Sequence, residues 1–139
     1  MLTARLTAPL TDLAALESRQ AEVGCLGENG DLRETLRSTL AQAPDLERAL
    51  SRLALDRGGP RDLAGLRNGL AVAGYISDRL TGELPGGLTA LARDLSGFDA
   101  LAKLLETALV EDPPHHTRDG GFVVEGYSDA LDTTRTLRD

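Results

Sequence analysis

The residues able to do chemistry in this 139-residue chain are few and scattered. Asp45, Glu47, Asp56 and Asp62 are carboxylates of the type that serves general acid-base catalysis, but helix caps and solvated faces account for them without it. His115 and His116, the two histidines, are neighbours in a Pro-rich loop, where consecutive side chains diverge. A metal shell there would have to recruit distant carboxylates, and no ligand spacing supports one. Cys25, the single cysteine, can make neither an internal disulfide nor a cysteine-rich zinc site. It reads as a small buried hydrophobe, and its isolation fits a reducing compartment such as the cytoplasm. Gly120-Gly121 beside Arg118 could cradle an anion with backbone N–H groups, although a glycine pair serves a tight turn entering a strand more often. Arg48 and Arg52 lie four apart on one helix face, and Arg61 and Arg67 follow in the next helix. With Glu47 or Asp62 as partners they read as a polar helix-packing network.

The common catalytic signatures are missing. The chain contains no Gly-x-x-x-x-Gly-Lys-Ser/Thr phosphate loop, no Gly-x-Gly-x-x-Gly, no Gly-x-Ser-x-Gly elbow and no His-Glu-x-x-His pair. Charge excludes more. Asp+Glu number 22 against Lys+Arg 15, a net charge of -7, which repels phosphate and argues against this segment gripping DNA or RNA, or a polybasic membrane anchor. The N-terminus lacks the apolar core of a signal peptide, and the longest apolar stretch, near Leu70 to Ile76, is far short of the ~20 residues of a bilayer span. The length suits one domain, 1–139.

The elements that would hold these residues are helical, because the hydrophobic residues are chiefly leucine and alanine and aromatics make up only 3%. Leu2 and Leu6 share a face before Pro9; Thr11 or Asp12 caps a helix carrying Leu13, Leu16, Gln20 and Val23 that ends about Gly24. Asp31 caps a helix with Leu32, Leu36 and Leu40, and Pro44-Asp45 stops it and starts another with Leu46, Ala49, Leu50 and Leu53. Beyond Gly58-Gly59-Pro60, the stripe Leu63, Leu66, Leu70, Ala73 and Ile76 marks a longer helix fading near Thr81-Gly82. Beyond Pro85-Gly86-Gly87, Leu88, Leu91 and Leu95 give a short helix, and Phe98 to Leu109 a strongly amphipathic one stopped at Asp112-Pro113-Pro114. Phe122 to Tyr127, rich in β-branched and aromatic residues and flanked by glycines, predicts a short strand, and Ser128 caps a last helix still running at Asp139. That open end suggests a piece of something longer.

Several blocks of this sequence resemble a known family. Pro44-Asp45-Leu46-Glu47-Arg48-Ala49-Leu50-Ser51-Arg52-Leu53, followed by Gly59-Pro60-Arg61-Asp62-Leu63-Ala64-Gly65-Leu66, is similar to the paired-helix signature in the central core domain of bacterial MutS mismatch-repair proteins. Asp112-Pro113-Pro114 with Arg118-Asp119-Gly120-Gly121-Phe122, then Gly126-Tyr127-Ser128-Asp129-Ala130-Leu131-Asp132 and Arg135, resembles the segment leading into that family's long lever helix. Met1-Leu2, Pro9-Leu10 and Arg19-Gln20 resemble the helices before the paired signature, although Arg5 stands where a Trp commonly sits. Several unrelated short blocks in one order at compatible separations cover nearly the whole chain.

The resemblance implies a partial core domain, lever included, of a homodimeric ATPase that recognises mispaired bases, uses ATP and magnesium, becomes a clamp on DNA and recruits MutL. The mismatch-reading wedge, the clamp and the Walker ATPase have no counterpart here, so no catalytic, cofactor-binding or metal residue carries over. The expected fold is mainly α: a multihelical bundle of short paired helices with one small β element near residues 121–127 and a truncated C-terminal lever helix. The expected role is mechanical, coupling ATPase to clamp, with Pro60-Arg61-Asp62-Leu63 pinning the two helix pairs, Arg118, Asp119, Gly120, Gly121, Gly126 and Tyr127 anchoring the lever's root, and Asp45, Glu47, Arg48 and Arg52 as further structural and transmitting residues. The other domains of the same chain, a second subunit and MutL are the expected partners, with DNA met only through absent domains, no membrane, and a bacterial cytoplasmic, nucleoid-associated location. Two competing readings are an autonomous helical protein–protein adaptor and, last, a small metal enzyme built on His115 and His116.

Overall fold

The computed structural model describes residues 2–138, so Met1 of the leading block and the open helix end expected at Asp139 lie outside the described residues. The chain is mainly helical: α1 (Leu2–Thr7), α2 (Leu13–Glu28), α3 (Gly30–Ala41), α4 (Leu46–Ala54), α5 (Pro60–Arg79), α6 (Gly86–Asp94), α7 (Asp99–Ala108) and α8 (Asp129–Arg138), with a 3₁₀ turn at Thr117–Asp119. It divides into two compact units. One contains the chain up to Gln42 together with Tyr75–Gly97; the other contains Ala43–Gly74 and the chain from Phe98 onward.

In the first unit α2 packs on α3 and α6. Asp12 caps α2, its Oδ2 accepting from Ala15 N at 2.9 Å. The helix does not stop at Gly24 as expected but runs through Gly27 to Glu28, since each interior glycine costs only about 1 kcal/mol against alanine and no proline follows before Asn29. Asn29 ends α2 and begins α3 at once: its N–H donates to Cys25 O at 3.1 Å, and its Oδ1 accepts from Leu32 N at 3.0 Å. The capping role expected of Asp31 therefore belongs to Asn29, and Asp31 lies in the first turn, where its charge suits the helix dipole. Arg33 Nη1 donates to Leu26 O and Gly27 O at 2.9 Å each, satisfying two of the last carbonyls of α2. Cys25 is half-buried, not buried, because it sits in that terminal turn. Ile76, Leu80 and Leu88 form the buried centre, and Ser77 Oγ donates to Ala92 O at 2.8 Å, tying α5 to α6.

The second unit is built on α4 against α5. Asp45 caps α4, its Oδ1 accepting from Arg48 N at 2.9 Å. Gly69, buried in α5, leaves room for the Leu46 isobutyl group, and Gly65 faces Ala49, so small residues let the two helices approach closely. Ala49, Ala64, Ala73, Leu105, Ala108 and Leu109 are buried, and Pro60 is the most deeply enclosed large side chain. The small β element is a single antiparallel bridge between Leu109 and Val123. Val110 N donates to Phe122 O at 3.0 Å and Val124 N to Ala108 O at 2.9 Å. It extends no further because Gly120 and Gly121 precede it with positive φ and Tyr127 N already turns back to Val124 O at 3.3 Å.

Candidate functional site

The sequence-predicted residues converge in the second unit, at the start of α5. Pro60 occupies the first helical position, where its fixed φ helps and its missing N–H is no loss. Asp62, in that same first turn, reaches back so that its Oδ2 accepts from Gly59 N at 2.8 Å, while Gly59 O accepts from Asp62 N at 3.0 Å. This reciprocal pair closes the helix start in the manner of a capping box. The same Oδ2 accepts from Arg52 Nε of α4 at 3.0 Å, and Arg52 Nη2 donates to Arg57 O at 2.9 Å. One carboxylate thus fixes the end of one helix, the loop between and the start of the next. Burial pulls the Asp62 carboxyl upward, but the Gly59 N–H, the Arg52 guanidinium and the nearby Arg48 charge outweigh it and hold its pKa below the ordinary aspartate value.

Three further arginines, Arg61, Arg67 and Arg135, act on backbone carbonyls. Arg67 of α5 forks, Nη1 donating to Val110 O at 2.9 Å and Nη2 to Glu111 O at 2.8 Å. Arg61 Nε donates to Pro113 O at 3.3 Å, with its other end 3.9 Å from the exposed Asp112 carboxylate. Gly59 also lies against this segment, since a Cβ there would stand 3.2 Å from His115 O. On the far side of the β bridge, Arg135 of α8 donates to Val123 O and to Asp132 Oδ1, both at 2.8 Å, and Asp132 Oδ2 accepts from Gly126 N at 2.7 Å. The connection from α7 to α8 is therefore held at both ends by guanidinium groups.

Other expected residues stand outside this arrangement. Glu47 is exposed in the first turn of α4 and makes no ion pair among the described residues, leaving Asp62 as the partner of the arginine network. Arg118 is 82% exposed, and its 3.9 Å approach to Asp119 is a surface pair of little energetic weight. Asp119 Oδ2 accepts from His116 N at 3.3 Å, and Gly120 N donates to Thr117 O at 3.1 Å. The Gly120 N–H is thus engaged in the turn and not free for an anion. Tyr127 is about half exposed beside the root of α8. The His115 and His116 rings are 6.4 Å apart and tilted, and among the described residues no group of three His, Cys, Asp or Glu side chains could hold a metal.

A family model described as MutS domain III matches residues 1–137. The chain belongs to the MutS domain III family. It is 48% identical over its whole length to the DNA mismatch repair protein MutS of Cereibacter sphaeroides and 50% identical to that of Paracoccus denitrificans. The MutS of Azorhizobium caulinodans is 49% identical over 144 aligned residues. The chain spans 16% of the length of the first two relatives and 15% of the third. Among the described residues of this MutS domain III segment, no helix is long and apolar enough to cross a membrane.

Within the MutS domain III segment, Arg61 and Arg67 lie in the expected helix, but neither Glu47 nor Asp62 is their partner. Their acceptors are main-chain carbonyls around Asp112-Pro113-Pro114. A signal was present: two consecutive prolines remove two N–H donors, so the local carbonyls have fewer backbone partners and draw on side-chain donors.

Proposed function

We propose that this chain is a non-catalytic, signal-transmitting part of the core domain of a MutS-like mismatch-repair ATPase, coupling the ATPase to the DNA-gripping clamp. The observation that supports this most is the arginine-bound junction: Arg61 and Arg67 of α5 hold the segment after α7, and Arg135 holds the segment before α8. Side chains locked onto backbone carbonyls at both ends suit a connection that must carry a displacement instead of absorbing it. α8 then serves as the root of the lever, with Gly126 and Asp132 fixing its entry angle.

Among the described residues no group of three His, Cys, Asp or Glu side chains is placed to hold magnesium. The phosphate-loop pattern is absent, and the single lysine, Lys103, lies exposed within α7, not behind a glycine loop. In this reading nucleotide, mismatched DNA, the second subunit and MutL are engaged through other parts of a longer cytoplasmic polypeptide. The test is Arg61→Ala combined with Asp62→Ala in the full-length protein, measuring ATP hydrolysis, mismatch binding and nucleotide-dependent clamp release from DNA. The expected result is slowed or incomplete release with hydrolysis and binding retained. Unchanged stability and unchanged release would overturn the pinning role.

A further inference from the structure

The chain has two asparagines, Asn29 and Asn68, and each is followed by glycine. Such a pair is prone to internal cyclisation, because a glycine N–H has no Cβ beside it to crowd attack on the preceding carboxamide. Asp119-Gly120 is the carboxylate counterpart. The fold treats these sites differently. Gly69 is buried in the middle of α5, with its N–H in the helical ladder and Leu46 packed against it. Gly120 N donates to Thr117 O at 3.1 Å. Gly30 is the first residue of α3, where a helix supplies its N–H no acceptor, and it donates to none among the described residues. Asn29 and Gly30 are both exposed.

What restrains Asn29 is the joint between α2 and α3. Its ψ of 84° turns Gly30 N away from Asn29 Cγ, and its Oδ1 is held by Leu32 N at 3.0 Å. Cyclisation therefore requires this joint to open. Its holds are the Asn29 cap bonds and the two bonds from Arg33 Nη1 to Leu26 O and Gly27 O. Opening an exposed helix end costs far less than unfolding the middle of α5 around Gly69, so the joint exposes Asn29 to reaction while Asn68 stays protected.

We propose that Asn29-Gly30 is a covalent modification site, a deamidating pair gated by the α2–α3 joint. In the opened joint Gly30 N bonds to Asn29 Cγ, the Cγ–Nδ2 bond breaks, and ammonia leaves with the Gly30 amide proton. The product is a cyclic succinimide, and water then opens either of its carbonyls. Opening at Cγ gives aspartate, which ranks with asparagine as a helix cap and keeps an acceptor for Leu32 N. Opening at the main-chain carbonyl gives isoaspartate, which routes the chain through the side-chain carbon and turns the carbonyl that accepts from Arg33 N into a free carboxylate. The first outcome preserves the start of α3 and the second dismantles it. That free carboxylate is the group on which an isoaspartyl carboxyl methyltransferase acts.

The test incubates the purified full-length protein at mildly alkaline pH, folded or in urea, and maps its tryptic peptides by mass against an unincubated sample. Trypsin places Asn29 in peptide 20–33, Asn68 in 68–79 and Asp119 in 119–135, so all three sites are read in one digest. In the folded protein, peptide 20–33 gains about 1 Da and becomes a methyl acceptor for isoaspartyl methyltransferase with S-adenosylmethionine. Asn68 converts at least about tenfold more slowly, and urea removes the difference. Gly30→Ala, whose Cβ would meet only Arg33 Nη2 at 3.8 Å, keeps the fold and suppresses the conversion. Arg33→Ala loosens the joint and speeds it about tenfold. Equal conversion of Asn29 and Asn68 in the folded protein, or conversion of both only in urea, overturns the proposal. So does a rate at Asn29 indifferent to Gly30→Ala or to Arg33→Ala.

Discussion

Replacing Asp62 tests the turn between α4 and α5 most directly, because its one carboxylate oxygen accepts from both Gly59 N and Arg52 Nε. In Asp62→Ala the Gly59 N–H loses its acceptor at a partly buried helix start, a loss of about 1 kcal/mol. The Arg52 pair adds less. The Arg52 side chain is 46% exposed and that of Asp62 20%, so solvent screening reduces their attraction to about 0.5 kcal/mol. Reorganisation of the loop that Arg52 also holds through Arg57 O brings the total to about 2 kcal/mol, or roughly 7 °C in Tm for a chain of this length. Asp62→Asn keeps an acceptor for Gly59 and loses only the charge, so it costs about 1 kcal/mol.

The assay is equilibrium urea unfolding followed by circular dichroism, with Arg52→Ala and the double variant completing a cycle whose coupling is about 0.5 kcal/mol. The pH dependence gives an independent check. Asp62 has a lower pKa folded than unfolded, so its contribution is complete above the ordinary aspartate value of about 3.9 and is lost as pH falls through the lowered folded value. The stability gap between the native chain and Asp62→Asn therefore closes on acidification below about pH 4 and is constant from there to neutrality. A loss under about 0.5 kcal/mol in Asp62→Ala, zero coupling to Arg52, or a gap that persists at acid pH would refute the assignment of Asp62 as the ionised centre of the junction.

Three further outcomes follow from the same geometry. Arg67→Lys replaces a planar fork on two carbonyls with one point donor, so it destabilises by about 1–2 kcal/mol in urea unfolding despite the conserved charge. Gly69→Ala gains about 1 kcal/mol of helix propensity but drives a methyl into Leu46, so thermal unfolding should show a net loss of about 1 kcal/mol that Leu46→Ala in the same chain suppresses. In fluorescence-anisotropy titrations at physiological salt, the chain should bind mismatched and fully paired duplexes equally weakly, because its net charge is -7; a clear preference for the mismatch would contradict the assignment of DNA contact to other parts of the protein.

The helices could be read from the sequence because each carries its own instructions: leucines at helical spacing, Asp12 and Asp45 at the starts, Pro60 at a first position. Errors fell where a local rule met a competing residue. Gly24 reads as a stop but sits inside α2, and Asp31 reads as a cap but yields to Asn29, whose amide can close one helix with its backbone and open the next with its side chain. The strand shrank to a bridge because β-branched residues specify extended backbone but not the length of a partner, and α7 offers only its last turn and the residues just after it.

The junction was half readable, and the division has a physical basis. Asp62 and Arg52 are complementary side chains ten residues apart across a Gly-Pro break, so charge alone pairs them. Arg61 and Arg67 meet carbonyls 43 to 52 residues away, and a carbonyl is the same at every position. What distinguishes those acceptors is a local shortage of donors created by Pro113 and Pro114. A guanidinium, with five donors and no acceptor, is suited to meet such a shortage. Diprolines after a helix, opposite arginines on a long one, thus signal that main chain and not carboxylate is the partner. By that argument Arg61, Arg67 and Arg135 serve to fix the path of the backbone into α8, through the carbonyls of Val110, Glu111, Pro113 and Val123.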